Sequence, residues 1–163
     1  MVYNTYNEMK YILSTITLAL GIIGFSTISY AQTPKPAVVA PQALFDANAN
    51  APLTVRKQYV ETNLRTLLGT LNSMYTRVQV ASNRLRTNGI DTAVSDTKLA
   101  LAQTALMNAK VNLDLFAAVP VDTKPATVTT LRAHAKASED NLKDARTAII
   151  ESISTLQLTL LNQ

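Results

Sequence analysis

The densest group of titratable side chains lies between positions 132 and 146. It holds Arg132, His134, Lys136, Glu139, Asp140, Lys143, Asp144 and Arg146. Acid–base catalysis needs such groups converged on one point. The spacing here predicts something else. Lys136 with Asp140 and Glu139 with Lys143 stand at i and i+4, and on a helix such neighbours form surface pairs worth roughly a few tenths of a kcal/mol each. His134 and Asp140 are not on one helix face. The sequence has no nucleophile elbow, no HExxH and no paired-acid signature. We therefore expect no enzymatic activity and a solvated helix face at 132–146.

Metal and cofactor chemistry is equally unsupported. There is no Cys and a single His, which rules out thiolate and multi-histidine metal sites. Glu139, Asp140 and Asp144 are too close along one helix for their oxygens to converge on an ion, and no calcium-loop spacing occurs. The four glycines are scattered, leaving no Gly-rich phosphate cradle. No metal and no cofactor are expected.

Charge is the uneven property. The chain carries a formal +4. Between positions 54 and 88, Arg56, Lys57, Arg65, Arg77, Arg84 and Arg86 face only one acid, Glu61. Positions 92–118 are balanced: Lys98 and Lys110 against Asp96 and Asp114. The excess makes Arg65, Arg77, Arg84 and Arg86 candidate anion-binding residues, for lipid headgroups or an anionic envelope polymer. The competing reading is structural. Arginine stems cover the flank of a core, and Arg84 and Arg86 suit the negative end of a helix dipole. Specific nucleic-acid binding is not expected, because the chain has no Trp and Tyr59 and Tyr75 lie near the core stripe instead of forming a stacking platform.

These residues must be positioned by helices. Val60, Leu64, Leu67, Leu71, Met74, Val78, Ala81 and Leu85 recur at alternating steps of four and three, a heptad stripe. Leu68 and Tyr75 widen it. Asn88-Gly89-Ile90-Asp91-Thr92 then predicts a turn. Gly89 takes the left-handed conformation, Ile90 packs back, and Asp91 or Thr92 caps the next helix. A second stripe follows in Leu99, Ala102, Leu106, Ala109, Leu113 and Phe116, whose small members should allow close backbone approach. This helix is apolar on a further side as well, through Leu101, Met107, Val111 and Leu115. Contact with two neighbours would account for that, and so would a partner surface. Pro120 ends it. Asp122 or Thr123 caps a third helix with Pro125 in its first turn. Its stripe is Val128, Leu131, Ala135, Ser138, Leu142, Ala145, Ile149, Ile153, Leu156 and Leu160, with a stutter at 145–149–153. The expected fold is all-α: an up-down-up antiparallel three-helix bundle over 53–163, with helices at about 54–88, 92–118 and 124–161, the alternative being a helical hairpin with a detached third helix. Because the outer two helices are the longer, one end is expected to protrude as a two-helix stalk. Gly69 falls at an outward position and has no evident purpose.

Residues 1–31 have the order of a secretory signal peptide. A polar start reaches Lys10, an apolar run covers Tyr11 to Phe25, and Ser29 and Ala31 sit at small-x-small spacing. The alternative is an uncleaved anchor, since the stretch from Tyr11 to Ala31 is long enough to span a bilayer. Either way the remainder is expected outside the cytoplasm: periplasmic, secreted or at the cell surface, and membrane-anchored if the leader stays. Residues 32–52, with Pro34, Pro36, Pro41 and Pro52, read as a semi-stiff linker, whose Val38, Val39, Leu44 and Phe45 are expected to dock loosely on the bundle.

Three segments, NRLRTNGIDT, KLALAQTALMNAKVNL and LRAHAKASEDNLKDARTAI, resemble a group of small exported helical proteins of small-genome bacterial lineages. The resemblance spans roughly residues 54–155. It implies export and a helical bundle and carries no activity.

The expected function is that of a non-enzymatic exported interaction or scaffold module of the cell envelope. Its partner surface would be Leu101, Val111, Leu115, Ile150 and Leu158, meeting a protein partner or a second copy. The competing class is a binding module for anionic envelope polymers or lipid headgroups through the four arginines. A third is a periplasmic clamp whose apolar helix faces hold unfolded chains.

Overall fold

The computed structural model describes residues 51–122 and 124–161. The leader and all of the linker before Ala51 lie outside the described residues, as does Thr123. Among the described residues there are three α-helices and no strand: α1 Leu53–Thr87, α2 Ala93–Ala118 and α3 Pro125–Leu161. Each bound falls within one residue of the expected one. No described helix is long and apolar enough to cross a membrane.

The helix ends follow from local chemistry. The Pro52 carbonyl accepts the Arg56 amide at 3.1 Å, closing the first turn of α1. At the other end Gly89 has φ 82°. The Ile90 amide donates to Leu85 O and the Gly89 amide to Arg86 O, both at 3.0 Å. These are the two bonds of a Schellman motif, and Ile90 packs onto the core as the sequence predicts. Asp91 Oδ1 accepts the Ala93 amide at 2.9 Å, whereas the Thr92 hydroxyl makes no cap bond. Before α3, Asp122 Oδ1 accepts the Lys124 amide at 3.0 Å, and the helix opens on Pro125. The Thr127 hydroxyl and the Lys124 amide hold the Asp122 carboxyl below its ordinary value. The stability this contributes is present at neutral pH and is lost as the pH falls through the lowered value.

Cross-helix contacts fix the directions. Lys57 near the start of α1 reaches Val119 just past the end of α2, and Arg86 near the end of α1 reaches Asp96 in the first turn of α2. Ser95 early in α2 meets Ser152 late in α3 at 2.7 Å. Both neighbouring pairs are therefore antiparallel. All three stripes face inward. Only Leu67 and Val128 are half-buried instead of buried, and both pack against the core.

The bundle is not symmetric. The α2–α3 contact is far more extensive than the contact of either helix with α1. The sequence explains this. Small residues line the α2–α3 seam: Ser95, Ala102, Ala105 and Ala109 on one side, Ser138, Ala145, Ala148 and Ser152 on the other, all buried. The Ser138 hydroxyl donates to the Ala109 carbonyl across the seam at 3.1 Å, which requires the backbones to lie close together. The larger side chains of α1 (Leu64, Leu71, Met74, Val78, Leu85) fill the wedge that remains.

Among the described residues, the expected exposed stalk does not form at the end of the bundle that carries the 88–92 turn. The last turns of α3 run past the start of α2 and lie level with the 88–92 turn. Leu156 and Leu160 are buried there, so the overhang adds to the core.

Gly69 is exposed within α1, and a Cβ added there meets nothing within 4 Å. Gly69→Ala should therefore raise stability by about 1 kcal/mol, read from urea unfolding, through helix propensity alone. Ala109 is fully buried in the small-residue seam, whereas Ala100 is exposed. Ala109→Leu should cost about 1–3 kcal/mol by overpacking, and Ala100→Leu should change the same unfolding midpoint little. Equal effects from both substitutions would refute the close α2–α3 contact.

Candidate functional site

Three of the six cations of α1, Lys57, Arg65 and Arg86, are held by partners within the fold. Lys57 Nζ donates to the carbonyls of Ala117 and Val119, at 2.7 and 2.6 Å. It thereby satisfies acceptors that the end of α2 leaves open. At the opposite end of α2, Asp96 collects three donors. Arg86 Nη2 and the Thr92 hydroxyl reach its Oδ2 at 2.7 and 2.9 Å, and the Ser82 hydroxyl reaches Oδ1 at 2.6 Å. Asp96 lies in the first turn of α2, where a negative charge also suits the helix dipole. Arg65 pairs with Glu61 at 2.9 Å and with Asp114 at 3.6 Å. Lys110, then Arg65, hold the Asp114 carboxyl below its ordinary value.

Of the four candidate anion-binding arginines, Arg65 and Arg86 thus have their anions within the chain. Arg77 and Arg84 are exposed and make no ion pair among the described residues. The structure does not assemble the four into one site. In the 132–146 cluster Lys136–Asp140 at 2.8 Å is an exposed pair, whereas Lys143 reaches a buried Glu139 at 2.7 Å, so the solvated face expected there does not extend to Glu139. Among the described residues no three His, Cys, Asp or Glu side chains come together as metal ligands would.

The outward face of α2 is the unusual surface. Contact with α1 and α3 is made by its stripe together with Ser95 and Ala105, so the other apolar residues are left in solvent. Leu101 is 56% exposed, Met107 63%, Val111 57% and Leu115 48%. Val94 is exposed beside them. Contact with two neighbours therefore does not account for the second apolar side of this helix. Ala93, Thr97, Ala100, Thr104, Asn108 and Ala118 are exposed on the same side. Together they form a face free of charge over all 26 residues of α2, about 39 Å at 1.5 Å per residue. Beside it runs a shallow groove of about 380 Å³ between α2 and α3. Leu101, Thr104 and Asn108 line one wall, and Asn141, Asp144 and Glu151 the other.

Of the predicted partner-surface residues, Leu101, Val111 and Leu115 come together on this face. Ile150 is half-buried and packs against the core. Leu158 is exposed but lies beyond the start of α2, since Ser152 is already level with Ser95. Sequence reasoning did not place Val94 in this surface, although its spacing from Leu101 (one heptad) carries the signal. It also gave no role to Asp96 or Lys57, whose partners are distant in sequence.

Asp96→Asn keeps the shape but removes the charge that binds Arg86. It should lower unfolding free energy by about 1–2 kcal/mol, and Arg86→Gln on top of it should cost little more. Full additivity of the two substitutions in a double-mutant cycle would show that the pair is not coupled. In comparisons with known proteins, no family model, no curated protein and no solved structure matches this chain.

Proposed function

We propose that the chain is a non-enzymatic helical interaction module of the cell envelope, working through the outward face of α2. One observation carries this reading: an exposed face 26 residues long with large apolar side chains and no charge. Five of those side chains leave on the order of 500 Å² of surface in water, at the scale where apolar patches on soluble proteins mark contact sites. A helix side facing only solvent is ordinarily studded with charged residues. The leader-like residues 1–31 and the resemblance to small exported helical proteins supply the envelope location.

A second reading, binding of an anionic envelope polymer or lipid headgroups, is favoured by Arg77 and Arg84 alone. They stand two turns apart on α1, without ion pairs among the described residues. Two charges make a dilute patch that physiological salt screens substantially.

A photo-crosslinking residue tells the readings apart. Placed at Leu101 or Val111 in cell envelopes, it should give protein adducts that persist at high salt. Placed at Arg77 or Arg84, it should give none. Adducts confined to the arginine positions and lost at high salt would favour the anion reading and refute the first.

A further inference from the structure

We infer that the occupant of this face is a second copy of the chain. Two α2 helices pair antiparallel about a two-fold axis at the level of Leu106. The inference rests on the reading of the α2 face as an interaction surface and names its partner.

The outward residues of α2 recur at 94, 97, 101, 104, 108, 111, 115 and 118, with steps of three and four in alternation. This is a second heptad seam, separate from the core stripe of the same helix. In an antiparallel pair, one register uses all eight positions. It sets Thr104 against Asn108 of the second copy and Leu101 against Val111. Outside these, Thr97 meets Leu115 and Val94 meets Ala118. The central layer joins the Thr104 hydroxyl, which donates to the Ala100 carbonyl of its own helix at 3.1 Å and is left to accept, to the Asn108 carboxamide, whose N–H can donate to it. Every outer layer joins a larger side chain to a smaller one, so the two helices keep an even spacing. A parallel pairing would instead stack Leu on Leu and Thr on Thr, alternating crowded and underfilled layers. Closed two-fold symmetry requires a surface that fits itself, and this register meets that requirement.

The electrostatics agree. All four charged residues of α2 are already paired within the chain: Lys98 with Glu151, Lys110 and Arg65 with Asp114, and Asp96 with Arg86. The seam itself contributes no charge to be desolvated. On the α3 side, the Ser138–Ala109 bond puts Asn141 level with Leu106, so uncharged residues face each other at the axis. Asp144 and Glu151 lie farther along α3, and each is kept away from its own copy. Five large side chains per copy bury about 1,000 Å² in total, the lower bound for a specific interface, and the Thr, Ala and Asn residues add to it.

The chain has no cysteine, so single-cysteine variants of the full chain report the register directly. Met107 flanks the axis and faces its own copy. Met107→Cys should form a disulfide-linked dimer under mild oxidation. Leu115→Cys should not link to itself, because its copy lies about 27 Å away along the helix. Val94→Cys mixed with Ala118→Cys should give a linked heterodimer. Leu101→Glu with Val111→Glu should weaken association at least tenfold by sedimentation, with helical circular dichroism unchanged, since both sites are exposed.

A chain that stays monomeric at about 100 μM overturns the inference, while envelope adducts at Leu101 would still uphold the surface. Self-linking at Leu115→Cys, or none at Met107→Cys in an associating chain, also overturns antiparallel pairing and leaves the surface standing. Association untouched by the two glutamates, with no adducts at Leu101, overturns both.

Discussion

The close seat of α2 on α3 governs the rest of the molecule. A serine hydroxyl on α3 reaches a main-chain carbonyl on α2 because buried alanines and serines line the seam between the two backbones. Side chains of that size contribute little burial individually, about 0.8 kcal/mol per methylene-sized group. Their effect is geometric. They draw two helices together and leave the third standing off on longer side chains. Leu99, Leu106 and Leu113 then point into the wedge that α1 fills. α2 satisfies both neighbours with little more than half of its circumference. What remains, including Leu101, Val111 and Leu115, is turned outward with nothing in the bundle to cover it. The exposed seam is a consequence of the tight one.

The charges of α1 belong to the same architecture. A short middle helix between two longer ones has both ends inside the span of its neighbours, where its unpaired amides and carbonyls need partners. Lys57 serves the carbonyl end directly. Arg86 serves the amide end through Asp96, which carries the negative charge that end prefers. What reads along the sequence as a basic helix awaiting an anion is in good part a clamp on the termini of α2. Arg65 is held by the side chains of Glu61 and Asp114 instead, and Arg77 and Arg84, both in the last third of α1, make no ion pair among the described residues.

Much of this was legible in the residues alone. The heptad spacing placed the helices to within one residue and named their buried sides, because burial against neighbours imposes the period directly. The turn at Gly89 was legible for a comparable reason: its hydrogen bonds join residues at most five apart, and one glycine in a polar run is a local cue. The asymmetry of the bundle was only half legible. Alternating Leu and Ala in α2 announced close approach but could not say to which neighbour, since that depends on the small residues of α3 coming into register with it. The fate of the arginines was illegible. Whether Arg65 meets Asp114 or solvent is decided by how two helices slide past each other, and composition carries no record of that. The absence of an exposed stalk at the end that carries the 88–92 turn was missed for the same reason, because helix length alone does not reveal that this turn lies level with the overhang.

The outward face of α2 sets two pressures against each other. An uncovered apolar stripe favours unwanted aggregation, and natural proteins usually interrupt such stripes with lysine or glutamate. This helix does have charged residues, but they stand at the borders of the stripe and are neutralised within the chain. Asn108 and the threonines at 97 and 104 do the interrupting. These groups lower the apolarity of the stripe without carrying a charge into an interface. An unpaired charge there would cost several kcal/mol on burial, whereas a hydroxyl or carboxamide that finds a partner costs little. Thr97 faces Leu115 in the antiparallel register with its hydroxyl already donating to the Ala93 carbonyl at 3.0 Å, whereas a pairing that set the Asn108 carboxamide against aliphatic carbon would leave it without a partner. A surface meant only for water gains nothing from that discrimination, and a surface meant for one particular helix does.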